Sequence, residues 1–245
     1  MNIINPYRFG TTPSIIPLAN IISEYKFENN VVDTVGTNNG AASGITYADG
    51  LVDRTGVFNG ILDHVVVADA DNLSFTDGVN DLPFSISFLI NFSAESQYGD
   101  RLIEKANVTA ALYEYQIITS GYSSVANDLY VILFNSAGTS ITLTIPFTKT
   151  FGSWKHMVFS YNGDELNPVL NIYIDGINIS GSVTDNGYTK MTNTSRPVYI
   201  GKSSQYSGVT LNGKMDCLRF WNKELTQAEV STIATDELNG IDINP

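Results

Sequence analysis

The run from Phe84 to Phe92 constrains the fold most, because apolar and polar side chains alternate along most of its length. Every second residue, beginning with Phe84, is large and apolar: Phe84, Ile86, Phe88, Ile90 and Phe92. Successive side chains of a β-strand point to opposite faces of the sheet, so this run predicts a strand with one face against a core.

Turn signals recur about every eight to twelve residues along the rest of the chain, a spacing typical of β-sandwiches. Asn162-Gly163 and Asp175-Gly176 are dipeptides that favour tight hairpins, because both positions tolerate a positive φ. The long amphipathic helices that a parallel α/β sheet requires between its strands are missing. Further strands are predicted at 21–27, 65–67, 101–105, 113–119, 128–134, 140–145, 154–161, 169–174, 197–200 and 211–221.

One helix is predicted near the C-terminus. Thr226 and Glu229 have the spacing of a capping box, in which each side chain accepts a hydrogen bond from the other residue's backbone N–H. Val230, Ile233 and Ala234 then form a short apolar face. We expect a helix of about two turns that covers one end of the sandwich.

Residues 1–19 differ from the sandwich predicted over 20–245, because Pro6, Pro13 and Pro17 fall among apolar residues. Proline lacks a donor and fixes φ, which disfavours regular structure here. We therefore expect an extended N-terminal arm that docks on another surface through Pro6, Tyr7 and Phe9. The N-terminus lacks the pattern of a signal peptide, and we expect a chain that is made in a cytoplasm.

The charge balance excludes some classes of partner. The chain carries 13 Lys and Arg against 25 Asp and Glu, a net charge of −12. Such an excess disfavours nucleic acids and anionic membranes as partners. Carboxylates also remain available for a hard cation such as calcium.

Several motifs, in order along the chain, resemble those of laminin-G-like domains, which have a concanavalin-A-like jelly roll. The motifs are Tyr25-x-Phe27-Glu28, Phe84-Ser85-Ile86-Ser87-Phe88, Trp154-x-His156, Ile172-Tyr173-Ile174-Asp175-Gly176, Leu211–Phe220 and Leu225-Thr226-x-x-Glu229-Val230. The resemblance implies an all-β fold, a concanavalin-A-like antiparallel β-sandwich (jelly roll) with one short C-terminal helix. The sandwich is preceded by the extended N-terminal arm. This fold hosts lectins, glycosidases and adhesion modules, so it does not by itself define a function.

A structural calcium ion is the best-supported cofactor. Calcium binds six to eight oxygen ligands, often in loops. Glu28, Asn30, Asp33 and Gly36 follow the first strand, and Asp216 lies in the last long strand. They converge if those two strands are neighbours, and several relatives in the resembled family place calcium there. The alternative is ordinary turn capping by these Asp and Asn side chains.

The sequence predicts a binding protein and not an enzyme. Retaining glycosidases of this fold carry two carboxylates on one strand face in the pattern Glu-x-Asp-x-x-Glu, and no Glu here is followed by Asp at the second position. Four tyrosines in predicted loops are candidates for ligand contact: Tyr98, Tyr122, Tyr188 and Tyr206. Stacking on a glycan and contact with a protein both remain open.

The opening Ile4-Asn5-Pro6-Tyr7-Arg8-Phe9-Gly10 is similar to that of structural proteins of tailed bacteriophages. This resemblance implies a non-enzymatic structural or adhesion protein of a virion that assembles in the host cytoplasm. It would be a head decoration, a head fibre or a tail-associated protein, whose arm binds other virion proteins and whose sandwich binds surface glycans. The alternatives are a cell-surface or secreted carbohydrate-binding module and a glycoside hydrolase. Whether the chain forms a homo-oligomer is left open.

Overall fold

The chain forms two antiparallel sheets that pack face to face. The computed structural model describes residues 16–94, 96, 98–107, 112–121, 128–135, 138–206 and 208–245. The strands in these residues are, in chain order, β1 Ile21–Tyr25, β2 Gly40–Ser43, β3 Thr46–Asp49, β4 Arg54–Asn59, β5 His64–Val67, β6 Phe84–Phe92, β7 Arg101–Asn107, β8 Leu112–Thr119, β9 Asp128–Phe134, β10 Ser140–Pro146, β11 Trp154–Tyr161, β12 Leu170–Ile174, β13 Ile177–Asn178, β14 Ser182–Asp185, β15 Val198–Ile200 and β16 Asn212–Trp221. One α-helix follows, α1 Gln227–Leu238.

Within the described residues, each sheet contains eight strands. The first sheet has the order β13-β12-β11-β6-β16-β4-β3, with β1 also paired to β16. The second sheet has the order β14-β10-β9-β8-β7-β15-β5-β2. The all-β, concanavalin-A-like sandwich expected from the sequence is confirmed, as is the pairing of the first strand with the last, in which Tyr25 lies opposite Leu218.

The core lies between the two sheets. The alternating residues of β6, from Phe84 to Phe92, are all buried in it, as their period of two predicts. Facing them from the second sheet are apolar side chains of β8, β9 and β10, among them Ile117, Val131 and Leu143. Burial of this apolar surface on both inner faces holds the sheets together.

The predicted capping box of α1 is confirmed, since the Thr226 side chain accepts from the Glu229 backbone and the Glu229 carboxylate accepts from Thr226. The helix is longer than the two turns expected, at 12 residues. Its location differs too, because it packs on the outer face of the first sheet and does not cover an end. There Val230 and Ile233 join Val158 of β11 in a second apolar cluster.

Of the two dipeptides that predicted tight hairpins, one forms such a turn. Asp175 and Gly176 both have a positive φ, of 51° and 81°, and form the tight connection between β12 and β13. Asn162-Gly163 instead opens a longer loop, closed by the hydrogen bond from the Asn162 N–H to the Val169 carbonyl. Within the described part of the chain, no helix has the length and apolar character needed to cross a bilayer.

Candidate functional site

Residues of two loops border an open pocket of about 490 Å³ at one end of the sandwich. The pocket is lined by Tyr98, Arg101, Tyr206 and Val209. The two aromatic side chains are the exposed part of this lining, Tyr98 being 57% and Tyr206 48% exposed. Two of the four tyrosines that the sequence predicted as ligand contacts therefore line the same pocket.

Gly99 determines the course of the loop that carries Tyr98. It has a φ of +85°, and a Cβ atom there would lie 2.0 Å from the Thr119 carbonyl oxygen. The Ser96 hydroxyl donates to the Gly99 carbonyl at 2.9 Å, and the Asp100 N–H donates to the Thr119 hydroxyl at 3.0 Å. The positive φ, the close contact and these bonds fix the backbone on the C-terminal side of Tyr98.

The second loop is closed on itself by Ser203, which is buried. Its hydroxyl accepts from the Gln205 and Tyr206 N–H groups, at 3.2 and 3.1 Å. Its own N–H donates to the Val209 carbonyl at 2.8 Å. A Cβ atom built on Gly208 would lie 4.0 Å from Cδ2 of Tyr98, so this loop reaches the first one.

Arg101 is held at the pocket by a buried carboxylate. Its Nε donates to Oε2 of Glu104 at 3.1 Å, and Glu104 is only 2% exposed. The same carboxylate accepts from the side-chain amide of Gln116 at 3.2 Å and from the Ser204 N–H at 2.8 Å. These donors fix the carboxylate, which in turn orients the guanidinium group.

A second buried ion pair lies next to Arg101. The Lys149 ammonium group is 2.6 Å from Oδ2 of Asp100, which also accepts from the Thr119 hydroxyl at 3.0 Å. Burial raises the pKa of Asp100, and the charge of Lys149 opposes that rise. Both carboxylates next to the pocket are therefore paired with cations.

This arrangement is suited to binding a small polar ligand with an extended face. Exposed tyrosine rings offer flat apolar surface together with a hydroxyl group. The guanidinium group supplies directional donors, and the bonds at Gly99 and Ser203 hold the backbone next to the two tyrosines.

The prediction for Tyr188 is wrong. Its ring is 7% exposed, and its hydroxyl donates to Oδ2 of Asp81 at 2.5 Å. Tyr161 donates to the same oxygen at 2.8 Å, so Tyr188 belongs to a buried polar cluster at the opposite end of the sandwich. It has no free face for a ligand.

Other predicted residues lie outside the described residues. Tyr122 is one of them. The arm residues Pro6, Tyr7 and Phe9 are also outside the described part. The chain is described from Ile16, which packs against the apolar cluster around Trp221.

The five predicted calcium ligands do not form one site. Asp33 accepts four backbone hydrogen bonds, from Glu24, Val35 and Gly36 on Oδ1 and from Asn38 on Oδ2, at 2.8 to 3.1 Å. Burial favours the protonated form of Asp33, but these donors outweigh it and lower its pKa. Asp33 closes the loop after β1.

Asn30 and Gly36 serve the same loop. The Asn30 side chain accepts from the Val32 N–H at 2.9 Å, a turn bond that occupies its oxygen. Gly36 approaches Asp33 so closely that a Cβ atom would lie 2.7 Å from Oδ2. The turn-capping alternative thus describes Asn30 and Asp33, and Gly36 packs against the same carboxylate.

Glu28 and Asp216 lie near each other, apart from that loop. Glu28 lines a pocket of about 290 Å³, and its Oε1 accepts from the Arg54 N–H at 3.0 Å. Asp216 is fully buried, and its Oδ2 has no hydrogen-bond partner among the described residues. Within those residues no three His, Cys, Asp or Glu side chains are grouped to hold a metal ion. Calcium binding stays a prediction.

The family comparison covers most of the sandwich. Residues 59–231 match the family described as the concanavalin A-like lectin/glucanases superfamily. The chain belongs to this superfamily. The matched span contains the whole pocket, from Tyr98 to Val209. No curated protein matches the chain.

Solved structures of low identity share the fold of this superfamily member. Domain 4 of AbnA, an extracellular arabinanase of Geobacillus stearothermophilus solved in complex with arabinotriose, is 18% identical with a TM-score of 0.65, over 88% of this chain and 98% of that one. The binding domain of Paraclostridial Mosquitocidal Protein 1 is 15% identical with a TM-score of 0.70, over 88% of this chain and 52% of that one. The binding domain of botulinum neurotoxin serotype D is 13% identical with a TM-score of 0.64, over 88% and 50%. The chain spans about half the length of these toxin binding domains.

Sequence reasoning missed Arg101 and Val209. The strand that begins at Arg101 was predicted. The guanidinium group of Arg101 becomes a candidate ligand contact only because the fold places it beside Tyr98 and Tyr206, which lie about a hundred residues apart in sequence. A cation at a strand end next to an aromatic loop is the one local signal that would have indicated it.

Proposed function

We propose that this chain is a carbohydrate-binding adhesion module whose ligand binds between Tyr98 and Tyr206. The single observation that carries the proposal is the pocket itself, with two half-exposed tyrosine rings on preformed loops around an oriented guanidinium group. Aromatic rings that stack on the apolar face of a sugar, next to polar donors, fit such a ligand. Membership of a lectin/glucanase superfamily supports the same proposal.

Binding is proposed here in preference to hydrolysis. Glycoside hydrolysis requires two carboxyl groups that can reach the scissile bond from opposite sides. Glu104 and Asp100, the carboxylates next to the pocket, are buried and held in ion pairs with Arg101 and Lys149. Neither is presented to the pocket as a free acid or nucleophile.

The finer proposal is that the module belongs to a bacteriophage virion and is attached through its N-terminal arm. The support from sequence is the resemblance of residues 4–10 to virion proteins. The support from geometry is the strand β16, which begins at Asn212 beside the pocket loops and ends at Trp221, opposite Ile21. Ten strand residues span about 30 Å, so a module held by its N-terminal end would present the pocket outward.

The proposal is tested by measuring glycan binding of tyrosine variants. The wild-type chain is applied to an oligosaccharide array, and the best ligand is titrated by calorimetry. Tyr98→Ala and Tyr206→Ala each remove a stacking face, and we expect a loss of about 1 kcal/mol, or roughly a fivefold higher Kd. Leu166→Ala is the control, because Leu166 is 84% exposed at the opposite end of the sandwich.

Unchanged affinity of both tyrosine variants would place the binding site elsewhere. A chain that binds no oligosaccharide at all, while it remains folded by circular dichroism, would contradict the carbohydrate-binding function.

A further inference from the structure

If the proposed function holds, the two Nη atoms of Arg101 indicate the chemical class of the ligand. One edge of the guanidinium group is committed, because Nε donates to Glu104. Neither Nη atom has an acceptor among the described residues. Arg101 lines the pocket, so these are the donors that a bound ligand would meet.

The two buried carboxylates next to the pocket are both paired with cations. Glu104 is neutralised by Arg101 and bonded to Gln116 and Ser204, and Asp100 is paired with Lys149. Lys202 lies on the same loop as Tyr206, a further positive charge at this end. The two ion pairs are neutral, and the charge of Lys202 is offset in sequence by Glu95, three residues before Tyr98, so the pocket does not share the −12 excess of the whole chain.

A neutral sugar would make little use of the paired Nη donors of Arg101. Hydroxyl groups satisfy a guanidinium edge one bond at a time, whereas a carboxylate accepts two parallel, charge-assisted N–H bonds. The tyrosine rings would at the same time contact the body of the sugar ring. We infer that the pocket binds a glycan through a carboxylated sugar, whose carboxylate is received by the Nη atoms of Arg101.

Two natural sources share this chemistry, namely uronic acids and sialic acids, and the experiment separates them. The probes are trigalacturonate with its fully methyl-esterified form, and sialyllactose with its methyl ester. The members of each pair differ only in whether their carboxylates are free or esterified. We expect one of the acidic probes to bind at least about tenfold more tightly than its neutral counterpart, with affinity that falls as sodium chloride is raised.

Arg101→Gln should remove this preference, bringing the acidic probe to within about twofold of its neutral counterpart. Arg101→Lys keeps the charge but not the planar pair of donors, and should give an intermediate affinity. It also remains informative if the Gln variant unfolds. Arg54→Gln is the matched control, since Arg54 pairs with Asp49 at the opposite end of β4. Its binding should equal that of the wild type.

The outcomes are distinguishable. Equal binding of acidic and neutral probes, unaffected by Arg101→Gln but weakened by Tyr98→Ala, overturns the acidic ligand and leaves the carbohydrate-binding function standing. Failure of all four probes to bind overturns the acidic ligand, and failure of the oligosaccharide array in addition overturns the proposed function.

Discussion

The carboxyl group of Asp216 lies fully buried where the central strand β16 bulges. Cys217, the next residue, has a φ of +49°, and the pairing of β16 with β6 shifts between Asp216 and Arg219. Oδ1 accepts from the Cys217 N–H at 2.8 Å, while Oδ2 has no partner within the described residues. Burial, with smaller contributions from the charges of Glu237 and Glu28, raises the pKa of Asp216 to about 8.

This raised pKa predicts a specific pH dependence of stability. The folded state holds the proton up to about pH 8, whereas the unfolded chain releases it near pH 4, so stability falls as the pH rises between these values. Asp216→Asn removes the titration. We expect the variant to be more stable than wild type at pH 8, by at least about 1 kcal/mol, and equal to it near pH 3.5 in urea denaturation with chelator present.

Asp33 provides the comparison with the opposite sign. Its pKa is lowered, so its contribution is present above the unfolded-state value of 3.8 and is lost as the pH falls through the folded-state value. Asp33→Asn should therefore destabilise the chain at pH 7.

If calcium binds at Asp216, millimolar calcium should raise the wild-type Tm at pH 7.5 but not that of Asp216→Asn. An Asp216→Asn variant that is destabilised at pH 8 would contradict the assignment of a protonated, unpaired carboxyl group.

Single residues were predicted well where their role is local. The capping pair Thr226 and Glu229 lies within one turn, and the period of β6 is readable from nine residues. The burial of Tyr188 depends on Asp81, which lies 107 residues away, so its sequence neighbours resemble those of an exposed loop. Tyr98 and Tyr206 have the same kind of neighbours, and only the fold separates them from Tyr188.

At the scale of elements, α1 is tied to the first sheet by a buried ionic cluster. Arg219 of β16 donates to Glu24 of β1 at 2.6 Å and to Glu237 of α1. His156 of β11 has its Nε2 3.3 Å from the same Glu237 carboxylate, and Asp242 lies 3.3 Å from Arg219. The cluster therefore connects the first strand, the central strand, the helix and the C-terminal segment.

Removal of Glu237 should destabilise the fold. Glu237→Ala removes a buried partner of both Arg219 and His156, while Glu24 still pairs with Arg219, so we expect a loss of about 1 to 3 kcal/mol. The control is Asp236→Ala, one residue earlier and partly exposed, for which we expect a change within about 0.5 kcal/mol. Both are measured by urea denaturation at pH 7. Equal effects of the two substitutions would mean that the cluster does not stabilise the helix against the sheet.

The sequence predicted the existence of this helix but neither its length nor its location. Val158 lies between Met157 and Phe159, and all three are apolar, so the run is apolar on both faces. Both faces of β11 are buried, one in the core and one beneath α1. A strand that is apolar on both faces was the available sign that another element packs on the sheet.

At the scale of the whole molecule, the fold was predictable because ordered motifs, turn spacing and alternation all indicated one architecture. The functional end was only partly predictable. The pocket is assembled from Tyr98 and Arg101 on one side and from Tyr206 and Val209 on the other, and these meet only because β6, β16 and β15 bring their ends together. A pattern read along the chain shows that tyrosines lie in loops, and the sheet topology determines which of these loops meet.

The last prediction separates attachment from recognition. The described chain enters the sandwich at Ile16, which packs near Trp221, and the pocket lies beyond the other end of β16, about 30 Å away. A variant that lacks residues 1–15 keeps every pocket contact that the structure describes. We expect its Tm to stay within about 2 °C of the full chain and its glycan affinity to be unchanged.

Removal of residues 1–15, which should leave glycan affinity unchanged, should abolish incorporation into virions. If residues 1–15 form the attachment to other virion proteins, purified particles assembled with the truncated chain should lack it, as judged by immunoblot beside particles that carry the full chain. The Tyr98→Ala variant serves as the reciprocal control, since it should be incorporated normally and bind glycan weakly. Full incorporation of the truncated chain would move the attachment surface onto the sandwich, whereas loss of both incorporation and glycan binding would mean that the two functions are not separable.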